Sequence, residues 1–163
     1  MDFEQARQDI TQWIVSFVEK PTPLLSGWPP CPYARQARLQ NRIDIREGLR
    51  DPLELSAVHM QDLDVIAYVY DPDQFTADAF NQAVDQLNQA YLVPRNMIAL
   101  ADHPGDPEVV NGVCMNQGTW AIVFLQDLDK LNTAAGQLAA KGFYHGWSED
   151  YLHQLFANRQ DPR

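Results

Sequence analysis

One thiol, Cys31, stands in the run Trp28-Pro29-Pro30-Cys31-Pro32-Tyr33-Ala34-Arg35, which opens a series of arginines at positions 35, 38, 42, 46 and 50. Pro32 suits the first position of a short helix, which places Cys31 at or beside its N-cap. A helix N-terminus and nearby cations both stabilise a thiolate, the form of cysteine that attacks electrophiles. Cys31 is thus a candidate nucleophile or redox centre. Arg35 and Arg38 would lower its pKa or hold a small anionic ligand, with Trp28 and Tyr33 flanking it. The alternative is a small buried residue packed beneath Trp28, since cysteine is among the most often buried residue types.

A second candidate lies in Asp102-His103-Pro104-Gly105-Asp106-Pro107, which continues through Asn111-Gly112 and Cys114 to Asn116-Gln117-Gly118. Loops of this length in a small domain often carry function. Asp102 could orient His103 as a general base, because a carboxylate partner fixes an imidazole tautomer. The alternative is a surface turn whose aspartates bond only their own backbone. A third candidate is Phe143-Tyr144-His145-Gly146-Trp147, where aromatic residues around His145 line a pocket mouth or plug the space between two helices. The four histidines show no metal-ligand spacing, so neither a metal nor a cofactor is expected. Nucleotide-binding glycine loops and the serine-hydrolase elbow are also missing.

Cys31-Pro32-Tyr33 looks like the start of the glutaredoxin active site. Ala34 stands where that family usually has its second cysteine, and the preceding element reads as a helix and a proline-rich loop, so a dithiol mechanism is excluded at this motif. The helix bearing Trp13 and Phe17-Val18, followed by Cys31-Pro32-Tyr33-Ala34-Arg35, resembles an uncharacterised bacterial family with a Trp-bearing helix and a Leu-Cys-Pro-Phe-Ala motif. Tyr33 replaces the phenylalanine, and Trp28-Pro29-Pro30 replaces the apolar lead-in. The likeness covers about the first quarter of the chain and implies a shared element without an assigned activity.

The elements that must position these residues follow from periodicity. Phe3, Ala6, Ile10, Trp13, Ile14, Phe17 and Val18 form one stripe of a first helix, closed by Pro21 and Pro23. Alternation at Arg42–Arg46 predicts a strand with Ile43 and Ile45 inward. Leu63–Tyr70, Met97–Ala101 and Trp120–Leu125 read as three more, the first and last apolar on both faces. Thr76 can cap a helix with Phe80, Val84, Leu87 and Tyr91 inside; Asp127 or Asp129 starts another; Ser148 caps the last. This order predicts a single α+β domain over 1–163, with a mainly antiparallel four-stranded sheet of ferredoxin-like or related split β-α-β type. The second face of the central strands is expected to be covered by the N-terminal helix or, failing that, by a homodimer partner.

The chain has 163 residues and a formal charge of −10. Such a charge argues against general nucleic-acid binding, although five of the twelve basic residues fall between Arg35 and Arg50. No secretory signal and no membrane-length apolar run is present, so a cytoplasmic protein with both cysteines reduced is expected. Two functions fit: an enzyme or redox-linked protein using Cys31 on a small anion, or a non-catalytic ligand-binding or homodimeric module.

Overall fold

Asp2 starts α1 (Phe3–Trp13), its side chain accepting from the Gln5 N–H. A wider π-type turn over Ile14–Val18 prolongs the helix and brings Phe17 beneath Trp13, ring centroids 6.1 Å apart. The computed structural model describes residues 1–163. The Cys31 turn leads to α2 (Ala34–Leu39) and then β1 (Ile43–Glu47). β2 (Val65–Tyr70), α3 (Ala77–Leu87), β3 (Met97–Asp102), β4 (Val109–Val110), β5 (Val113–Cys114), β6 (Ala121–Asp127), α4 (Leu128–Ala140) and α5 (Glu149–Leu155) follow. Thr76, Asp127 and Ser148 cap α3, α4 and α5 through their side chains, as their sequence positions predict.

The fold is α+β, and its four-stranded sheet has the order β1-β2-β6-β3. β6 is antiparallel to both β2 and β3, whereas β1 runs parallel to β2. The sheet is therefore mixed, and neither a mainly antiparallel character nor the ferredoxin-like detail is confirmed. A parallel pair needs a long crossover. The segment between β1 and β2 supplies it with a 3-10 stretch at Pro52–Ala57 instead of an α-helix. Tyr91, expected inside, is 45% exposed because the π-type turn at Asn88–Leu92 rotates the end of the α3 stripe.

Alternation along the strands splits the core in two. Ile66, Tyr70, Val123, Leu125, Met97 and Ala99 face α3 and the 3-10 segment. Ala67, Val69 and Ile122 face Ala6, Ile10 and Ile14 of α1. The N-terminal helix is thus the cover of the second face. A third cluster, with Leu138, Phe143, Trp147, Leu152 and Phe156, joins α4 to α5, so Phe143 and Trp147 act as the interhelical plug.

Candidate functional site

α1 covers β1, β2 and β6 but stops short of β3, and α5 stands on the far side. Between them lies a cleft of about 570 Å³ over β3 and around its free edge. Trp13 and Phe124 stack at 6.2 Å on one side of it. Asp102, Glu108, Asn116 and Tyr151 stand among the polar residues that line it. The buried Asn88 side chain blocks part of the strand edge. Its amide donates to the Ala99 carbonyl at 2.8 Å, and its oxygen accepts the Ala99 N–H at 2.7 Å. Those contacts satisfy two backbone groups that an edge strand otherwise leaves open.

The loop after β3 is built on Asn116. Its amide donates to Asp102 Oδ1 at 2.9 Å and to the Asp106 carbonyl at 3.2 Å, and its oxygen accepts the Glu108 N–H at 2.5 Å. Asp102 Oδ2 accepts the Gln117 N–H at 3.0 Å. Within the loop, Asn111 (φ 50°) and Gly112 (φ 80°) turn β4 into β5, a two-residue hairpin of the left-handed kind that Asn-Gly favours. Tyr151 reaches from α5 to donate to Glu108 Oε2 at 3.0 Å. Burial pushes the Asp102 carboxyl up against the bonds from Gln117 and Asn116. Burial likewise raises Glu108, aided by the charges of Asp102 and Asp106 and opposed by the Tyr151 bond. Tyr151 itself is raised, first by burial and then by Glu108.

The cleft holds four carboxylates, from Asp85, Asp102, Asp106 and Glu108, and no lysine, arginine or histidine lines it. No three metal-ligating side chains converge, so this negative charge is spread along the wall. The arrangement suits recognition of a cation with an apolar portion: carboxylates and aromatic faces both attract it.

Asp102 and His103, adjacent in sequence and both 7% exposed, do not form a hydrogen-bonded pair. The Gly105 N–H donates to His103 Nδ1 at 3.0 Å, which assigns the ring proton to Nε2, 3.4 Å from the Pro72 carbonyl. The ring packs on Phe80 at 5.5 Å. The imidazole thus holds the loop, while Asp102 alone reaches the cleft.

Cys31 lies three residues before α2, a helix of only six residues. The residue is exposed rather than sealed under Trp28, which instead packs edge-on against Phe143 at 5.6 Å. Protein atoms nevertheless crowd the sulfur, and this desolvation raises the thiol pKa. Hydrogen bonds from the Tyr33 and Ala34 backbones oppose the rise without overcoming it. The arginines do not supply the missing stabilisation. Arg38 is engaged by Glu19 through two bonds of 2.9 and 2.7 Å, and Arg35 is exposed. Tyr33 donates to Gln137 at 3.1 Å, and His145 lies exposed in the α4–α5 turn. Cys31 and Cys114 are both free thiols.

These features define an α+β domain with a mixed sheet and an acidic, aromatic-sided cleft around one edge strand. No family profile, curated protein or solved structure matches the chain. No helix is long and apolar enough to cross a membrane.

The cleft-lining residues Asn116, Glu108 and Tyr151 are the main part of the candidate site that sequence reasoning did not single out. Asn116 sat inside the candidate loop, but Tyr151 is 43 residues from Glu108 and carried no local signal.

Proposed function

We propose that this protein is a non-catalytic binding module whose cleft between α1, β3 and α5 takes a small organic cation. The observation that carries the reading is a 570 Å³ cleft with four carboxylates, a stacked Trp13–Phe124 pair and no basic residue. An ammonium group placed near Glu108 and Asp102 restores charge balance to two carboxyls that burial destabilises as anions. Its apolar portion can lie on the indole of Trp13. The two free thiols suit a reducing compartment such as the cytoplasm.

Calorimetric titration with phenethylamine, 2-phenylethanol and 3-phenylpropionate tests this reading, because the probes share a ring and differ in charge. The amine should bind at least about tenfold more tightly than the alcohol, or about 1.4 kcal/mol for one partly screened charge contact. Glu108→Gln should remove most of that difference. Equal binding of the three probes, or an unchanged preference in Glu108→Gln, overturns the proposal.

A second reading keeps Cys31 as a nucleophile on a small anionic ligand. Its exposure and the two backbone donors to its sulfur favour that reading. Chemistry at Cys31 would then be confined to alkaline conditions, where a raised thiol ionises.

A further inference from the structure

Arg159, in the segment after α5, is the one basic side chain that is neither well exposed nor matched with a carboxylate. Its Nε is enclosed without a hydrogen-bond partner. Its guanidinium carbon lies 4.8 Å from the centre of the Phe156 ring. Phe156 packs in turn on Tyr144 at 5.4 Å, and the Tyr144 hydroxyl is the side-chain group that hydrogen-bonds the Arg159 guanidinium. The acids of this terminal segment are held by Arg163 instead, which binds Asp161 at 2.6 Å and Glu149 at 2.9 Å. In a chain with twenty-two acidic and twelve basic residues, a half-buried arginine without a carboxylate partner is unexpected on charge alone. Burial lowers the Arg159 pKa and raises that of Tyr144, so both groups lie where water solvates them poorly.

Removing a charge from water is costly unless a counter-charge and hydrogen bonds replace the hydration. A planar guanidinium matches an oxyanion through paired N–H donors, and a phenol adds a third donor. We propose that Arg159 and Tyr144 form a site for a small oxyanion of the phosphate type, walled by Phe156. The site adjoins the acidic cleft, which Asn158 and Tyr151 line, but takes a ligand of opposite charge on different side chains, so either proposal can fail alone.

Heteronuclear NMR that follows the Arg159 Nε–H during titration with inorganic phosphate, with chloride holding ionic strength constant, tests the site. The expected result is a saturable shift at Arg159, absent from the exposed Arg35. Arg159→Gln should weaken phosphate binding by at least about tenfold, as loss of a charge-assisted hydrogen-bond pair requires, and Arg35→Gln should leave it unchanged. A response that fails to saturate in the wild-type chain, or that is shared equally by Arg35 and Arg159, overturns the proposal even if the Arg159 variant folds poorly.

Discussion

Each candidate residue is decided by what its polar atoms already hold. His103 has both ring nitrogens engaged by backbone, whereas Asp102 uses its two oxygens to close a loop and still borders the cleft. Cys31 has the donors expected of a helix start, yet crowding around the sulfur outweighs them. Iodoacetamide alkylation of Cys31 should therefore follow an apparent pKa above the ordinary thiol value of about 8.5. Peptide mapping of the labelled chain against pH separates it from Cys114, and a midpoint below that value would show the backbone donors outweighing desolvation. A lone thiol beside arginines in sequence is not primed by them when Glu19 holds Arg38 and Arg35 faces solvent.

Among the elements, α1 and the β1–β2 crossover decide where the cleft can be. α1 covers the sheet up to β6, and its stopping point leaves β3 open. The crossover begins at Gly48, whose N–H donates to the Val69 carbonyl at 2.8 Å. A Cβ at Gly48 would lie 2.1 Å from Cε1 of Tyr70, a ring only 1% exposed whose hydroxyl donates to Glu54 at 3.1 Å. Gly48→Ala should therefore destabilise the fold by about 1–3 kcal/mol, the usual cost of overpacking. Urea denaturation would register it as a lowered midpoint at unchanged slope. A neutral outcome would mean that the ring moves freely.

Across the whole molecule, charge links the cleft to stability. Asp102 and Glu108 have folded-state pKa values above their ordinary ones. In the window between those values the folded chain binds more protons than the unfolded chain, so stability falls as pH rises through it. Glu19 acts oppositely. Its hydrogen bond with Arg38 lowers its pKa, and its contribution is lost as pH falls through that depressed value. Urea midpoints measured from the carboxylate range to neutrality should decline less steeply in Glu108→Gln than in the wild-type chain. The same protonation should weaken amine binding as pH falls.

Local physics made much of this legible in the sequence. The helix caps at Thr76, Asp127 and Ser148, the four sheet strands and the covering role of α1 follow from hydrogen-bonding side chains and apolar spacing. Both are properties of neighbouring residues. The sequence also marked the 102–118 loop and, in Asn111-Gly112, contained a hairpin turn that reads as such only beside paired strands. Other features depend on groups far apart in the chain. The parallel pairing of β1 and β2, the claim of Glu19 on Arg38, the reach of Tyr151 to Glu108 and the unpartnered Nε of Arg159 were settled by tertiary structure. Spacing along a chain determines which face a side chain occupies, but only folding determines which partners have already been taken when a ligand arrives.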